Sequence, residues 1–163
     1  MANTYTQLDV HLVFAVKGRQ SLIGKEWKEE LFKYITGIVQ AKKHKMLRIN
    51  GMPDHLHIFI GYDPNQLIPN LVEDIKTSSN KFIKEKRFTP FAFSWQSGYG
   101  AFSTARSQRD TVIDYIDNQE THHLTRTFEQ EYLVFLKKFE VEFNPEYLFD
   151  FQQVHSWEMK AEI

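Results

Sequence analysis

The stretch Asp54-His55-Leu56-His57-Ile58-Phe59-Ile60 alternates polar or aromatic with aliphatic residues, and this constrains the fold more than any other segment. Alternate residues of a strand point to the same side, so His55, His57 and Phe59 share one face while Leu56, Ile58 and Ile60 share the other. The aliphatic face calls for a covering of helices. Both imidazoles are left on the open face of the sheet, about 7 Å apart at Cα from strand rise. Gly51-Met52-Pro53-Asp54 reads as a turn, and residues 46–52 before it read as a strand. So short a connection implies an antiparallel hairpin.

The rest of the chain supplies partners for that hairpin. Residues 8–17 read as a strand, with Val10, Leu12, Phe14 and Val16 on one face and His11, Val13 and Ala15 on the other. Residues 18–24 form a loop. Trp27, Leu31, Tyr34, Ile35 and Ile38 recur at helical spacing, which predicts a helix over 25–43. Pro64 ends the strand at 55–62. Leu67, Leu71, Ile75, Phe82 and Ile83 mark a second helix over 69–86. Residues 91–104 read as a fourth strand or hairpin, interrupted by Gly98 and Gly100. A third helix is expected over 107–120. Thr127 and Gln130 form a capping box for a fourth over 128–140. The remainder, from about residue 144, reads as an extended tail on a single domain. The order β-α-β-β-α-β-α-α predicts an α+β, ferredoxin-like split β-α-β sandwich. Its sheet is mainly antiparallel, with helices on one face plus a C-terminal helix.

The chain has no Cys, which excludes disulfides, zinc-thiolate sites and thiol catalysis. Residues 1–7 lack the regions of a signal peptide, and no apolar run approaches the ~20 residues that span a bilayer. A cytoplasmic location is expected. The formal net charge of -1 argues against a simple basic binder of nucleic acid. The charges are nevertheless segregated, with basic clusters at Lys42-Lys43-His44-Lys45 and Lys84-Glu85-Lys86-Arg87 and acidic residues gathered in 129–146 and 150–162. A basic face is one reading, and solvated helix ends are the other.

Two imidazoles spaced as His55 and His57 are can converge on one ion, although a His pair on a strand is also compatible with a purely structural role. Asp54 either orients an imidazole or serves the turn. His11 falls on the same face of a neighbouring strand, as a supporting residue rather than a ligand. Further on, Tyr115-Ile116-Asp117-Asn118-Gln119 places Tyr115 and Gln119 one helical turn apart. A Gln oxygen is a neutral, hard ligand suited to Mg2+ or Mn2+. Tyrosine at its usual pKa of ~10 is a poor nucleophile, but a bound cation favours the phenolate and polarises a phosphate oxygen. Attack on phosphorus would give a phosphotyrosine bond that retains the energy of the broken one. Metal-binding and nucleophile-bearing segments together suggest phosphodiester chemistry on nucleic acid. His122-His123 is a further pair, but neighbouring helix residues diverge.

From about Tyr5 to about Asp150 the chain resembles the IS200/IS605-type transposases, the single-tyrosine members of the HUH nuclease superfamily. Four segments carry the resemblance: His11 to Arg19, Gly51 to Phe59, Trp95 to Ser103 and Tyr115 to His123. It implies that His55, His57 and Gln119 bind a divalent ion, Mg2+ or Mn2+. It also implies that Tyr115 forms a 5′-phosphotyrosine link. Family members cut and rejoin single-stranded DNA at insertion-sequence ends, recognise subterminal hairpins and act as homodimers. Lys17, Arg19, Lys76, Lys81 and Lys84 are candidates for the DNA backbone. Trp95, Tyr99 and Phe102 are candidates for base stacking, or else for the core.

Three other readings compete with a transposase. A domesticated relative would keep the chemistry and act on chromosomal hairpins. A non-catalytic module would bind nucleic acid on the same fold. A hydrolase would use water as nucleophile and leave Tyr115 structural.

Overall fold

A computed structural model describes residues 3–18, 23–145 and 148 of the chain. Arg19 and nearly all of the expected tail lie outside the described residues. Four strands, β1 (Asp9–Ala15), β2 (Lys45–Met52), β3 (His55–Gly61) and β4 (Gly100–Thr104), form one sheet in the order β2-β3-β1-β4. Every pairing is antiparallel. Helices α1 (Lys28–Ala41) and α2 (Ile68–Lys86) connect the strands as the split β-α-β pattern requires. A 3-10 turn at Arg106–Gln108 then leads into α3 (Arg109–Asp117), α4 (Gln119–His122) and α5 (Phe128–Lys138).

The expected aliphatic face is the main core. Leu12, Phe14, Leu56, Ile58 and Ile60 pack against Leu31, Ile35 and Val39 of α1 and Leu71, Ile75 and Ile83 of α2. The β2–β3 hairpin closes tightly, with Met52 opposite His55. Gly51 makes this possible, because a Cβ there would stand 2.4 Å from the His55 carbonyl oxygen. Residues 94–96 run beside the end of β1, with Trp95 bridging Val16, and β4 follows β1 further along. The chain leaves that edge between them at Gly98, whose φ of 89° suits a residue without a side chain. The reading of 91–104 as an interrupted strand therefore describes one segment that pairs twice with the same edge.

Two features depart from expectation. The histidine face is not open. Val13, Ala15 and Phe102 on that face pack against Phe128, Tyr132 and Leu136 of α5. Thr127 caps α5 in a reciprocal capping box with Gln130, a motif worth about 1 kcal/mol. The expected helix over 107–120 is also broken. At Asn118 the backbone leaves helical geometry (φ −98°, ψ 25°), and its side-chain amide donates to the Asp114 carbonyl at 2.7 Å. Its backbone N–H donates to the same carbonyl at 3.1 Å, so the Asp114 oxygen accepts twice where the helix ends. Gln119 thus begins α4 rather than continuing the Tyr115 helix. Among the described residues, no helix is long and apolar enough to cross a membrane.

Candidate active site

The sheet register sets the two histidines beside β1. His57 lies opposite Val13, and His55 lies opposite Ala15. Both imidazoles are fully buried. Each has a partner on its outer nitrogen. His55 Nδ1 is 2.7 Å from Asp54 Oδ1, and His57 Nδ1 is 2.8 Å from His11 Nε2. The Nε2 atoms are thereby aimed toward α4 and α5. Partners of this kind fix which ring nitrogen is free to ligate.

Gln119 and Tyr115 approach from the other side. Gln119 is fully buried, with Oε1 3.2 Å from His55 Nε2. Tyr115 stacks on His122 with ring centroids 4.6 Å apart and sets its ring edge-on to Phe135 at 5.6 Å. Its hydroxyl donates to Glu131 Oε2. The helix carrying it is tied to the sheet at both ends. Arg109 makes a bidentate pair with buried Asp9 at 2.8 and 2.9 Å, and Asn50 donates to the Ile116 carbonyl at 2.8 Å. Despite the break at Asn118, Tyr115 and Gln119 face the same cluster.

Glu131 is the residue that sequence reasoning missed. It sits on α5 among Phe128, Tyr132 and Leu136 and is 1% exposed. Its Oε1 lies 3.0 Å from His57 Nε2, 3.3 Å from His55 Nε2 and 3.4 Å from His123 Nε2. No carboxylate beside the histidines is evident from the sequence, and the fold brings Glu131 there. A signal was present: Glu131 occupies a position of the apolar stripe of its helix, where an acidic residue needs partners. His123, set aside because neighbours on a helix diverge, also reaches the cluster, 3.2 Å from Gln119 Oε1.

The donor set fits a divalent ion. Ligating atoms of His55, His57 and Glu131 all lie within 4.8 Å of one another. Atoms sharing one ion at about 2.1 Å stand roughly 3 Å apart, close to the separations seen here. Amide and carboxylate oxygens suit Mg2+ or Mn2+, and imidazole nitrogens suit divalent transition-metal ions.

Electrostatics follow from burial and these contacts. Burial lowers the His55 pKa, but hydrogen bonds and charges from Asp54 and Glu131 outweigh it and lift the group to about 9. For His57 burial wins, helped by the His55 charge, and the group falls to about 4. Burial would raise Glu131, yet bonds from His123, His55 and His57 hold it well below the usual carboxylate range. Burial and the Glu131 carboxylate push Tyr115 well above an ordinary phenol. The metal-free site therefore holds a protonated His55, an ionised Glu131 and a neutral Tyr115.

A pH dependence of stability follows for the metal-free chain. The His55 contribution is fully present below its free value of 6.5 and is lost as pH rises through about 9. His57 refuses a proton that the unfolded chain accepts, so its contribution is present above 6.5 and is lost as pH falls through about 4. Stability should peak near pH 6.5 and fall on both sides. Thermal melts in chelator from pH 5 to pH 9 check this, and a monotonic profile across that window contradicts it.

The candidate DNA contacts are scattered. Lys17 is exposed just beyond β1, and Lys81 and Lys84 are exposed on α2, across the sheet from the histidines. Lys76 is engaged within the protein. Its ammonium donates to the Gln96 and Gly98 carbonyls at 2.8 and 2.6 Å, and burial lowers its pKa to about 8. It clamps the 96–98 loop. Trp95 and Phe102 are buried in the core, with Trp95 Nε1 donating to Ser79 Oγ at 2.9 Å, and Tyr99 packs partly against the core.

A ferredoxin-like sheet carrying a His-x-His strand, with a tyrosine helix folded onto it, has the architecture of the single-tyrosine HUH nuclease class. Residues 4–119 match the family described as Transposase IS200 like, and the chain belongs to that family. The ISDra2 transposase TnpA of Deinococcus radiodurans is 26% identical over 120 residues, spanning 69% of this chain and 84% of that protein. Two solved structures share the fold. A crystal structure from Deinococcus radiodurans, described as a candidate transposase, superposes with a TM-score of 0.57 at 22% identity over 73% of this chain and 95% of that one. A REP-associated tyrosine transposase solved with a REP hairpin gives a TM-score of 0.56 at 13% identity, covering 76% of this chain and 73% of that one.

Proposed function

We propose that this transposase cuts and rejoins single-stranded DNA through a 5′-phosphotyrosine intermediate, with a divalent cation held by His55, His57 and Gln119. The convergence of the Tyr115 hydroxyl and those three side chains on one buried cluster carries the reading. Bound there, Mg2+ or Mn2+ supplies Lewis-acid polarisation of a phosphate oxygen. Asp54 and His11 hold the two imidazoles in ligating orientation. The Tyr115 hydroxyl gives up its proton as its oxygen forms a bond to phosphorus, the bond from phosphorus to the 3′ oxygen breaks, and that oxygen takes up a proton and leaves as a hydroxyl. The link to tyrosine keeps the bond energy, so a 3′ hydroxyl of another strand reverses the step without ATP.

Hairpin ends are the proposed substrate. The family membership and a fold shared with a transposase bound to a REP hairpin support this. Exposed Lys81 and Lys84 lie on α2, across the sheet from the histidine cluster, so they suit the duplex stem, whereas Lys17 follows the β1 residues that pair beside His55 and suits the reacting strand. Arg19 remains a candidate for the same backbone. A homodimer is proposed from family membership alone.

The test incubates the protein with labelled single-stranded DNA carrying its own flanking ends, with Mn2+ or Mg2+ and with chelator. A protein–DNA adduct on a denaturing gel that forms with metal and vanishes with chelator is expected. Cleavage without an adduct would instead identify water as the nucleophile.

A further inference from the structure

We infer that Glu131 completes the cation site, ligating through Oε1 beside His55 and His57 while its Oε2 holds the Tyr115 hydroxyl, so that one carboxylate positions the nucleophile against the ion. The inference rests on the metal-dependent reading above. It adds a residue from α5, which lies beyond the segment 4–119 that matches the family.

Three observations carry it. The first is the division of labour between the two oxygens. Oε1 faces His57, His55 and His123 at 3.0–3.4 Å, whereas Oε2 accepts from Tyr115 and from Gln119 Nε2 at 3.2 Å. A carboxylate can serve an ion with one oxygen and a phenol with the other because it has about four acceptor sites. The second is charge. Two imidazoles and an amide are neutral, so as ligands they offset none of an ion's double charge, and Asp54 acts only through His55. One carboxylate halves that charge and brings the hard anionic oxygen that Mg2+ and Mn2+ favour. Four protein ligands still leave about two of six positions for phosphate or water. The third is rigidity. The Thr127–Gln130 capping box begins α5 one turn before Glu131, and Phe128, Tyr132 and Leu136 seat it on Val13, Ala15 and Phe102. A side chain fixed by its own packing holds a functional geometry that a loop residue would not.

The test measures Mn2+ affinity by titration calorimetry on the full chain and on Glu131→Ala, Glu131→Gln and His57→Ala variants. Far-UV circular dichroism checks that each is folded. Glu131→Ala should weaken Mn2+ binding by about 10- to 100-fold. Glutamine offers one acceptor oxygen, so it can serve the ion or the hydroxyl but not both. Glu131→Gln should therefore bind Mn2+ better than Glu131→Ala, yet form adduct at least about tenfold more slowly than the unsubstituted chain at saturating Mn2+. This isosteric variant decides the matter if Glu131→Ala does not fold. Unchanged Mn2+ affinity and adduct rate in the Glu131 variants, with binding lost in His57→Ala, overturns the inference and leaves the metal reading standing. Absence of Mn2+ binding by the unsubstituted chain overturns both.

Discussion

Replacement of Tyr115 by phenylalanine is expected to reduce the covalent protein–DNA product by at least about a thousandfold, since no other group replaces a missing nucleophile. DNA binding should stay within about twofold, because the proposed backbone contacts are made by lysines that the substitution leaves in place. The ring environment is preserved in this variant. Contacts with His122 at 4.6 Å and Phe135 at 5.6 Å are made by the aromatic ring and not by the hydroxyl. The hydroxyl does donate to Glu131, but Gln119 also donates to the same oxygen at 3.2 Å. The lost hydrogen bond should therefore cost about 1–2 kcal/mol of stability. Urea melts alongside the adduct assay separate the two effects. Adduct formation retained in the variant would remove Tyr115 from its role.

Replacement of His57 by alanine should act through a different route and be nearly as severe. His57 sits at the centre of the cluster, between His11 at 2.8 Å and Glu131 at 3.0 Å. Its loss removes a proposed ligand, leaves a cavity at a fully buried position, and takes a partner from each of two buried polar groups. The expected result is a fall of more than about 100-fold in both Mn2+ affinity and adduct yield. The metal-free chain should lose about 2–4 kcal/mol. Excess Mn2+ should restore adduct partially in His57→Ala and not at all in Tyr115→Phe. Calorimetry and the gel assay read these directly, and equal rescue of both variants would contradict the separation of roles.

Much of this site was legible because strand alternation is an unambiguous signal. The aliphatic set Leu56, Ile58 and Ile60 fixed which way His55 and His57 point, and β1 supplied His11 on the same face by the same rule. Helix geometry was harder. Spacing alone put Tyr115 and Gln119 on one helix, while the backbone leaves helical geometry at Asn118 between them. The two residues still meet because α4 restarts one residue later.

The covering of the histidine face was not legible from periodicity. The stripe Phe128, Tyr132 and Leu136 shows that α5 is amphipathic, but not which surface it covers. Without that placement Glu131 looked like part of an acidic surface run. Lys76 illustrates the converse. A lysine on an amphipathic helix reads as solvated or DNA-facing, and only the fold shows that two carbonyls of the 96–98 loop hold its ammonium.

The most direct test of the central claim is to trap the adduct, digest it and locate the modified peptide by mass spectrometry. A nucleotide attached through its 5′ phosphate to Tyr115, in the peptide containing Asp114 and Ile116, is the predicted result. Attachment at any other of the seven tyrosines, or full cleavage with no modified peptide, would contradict it.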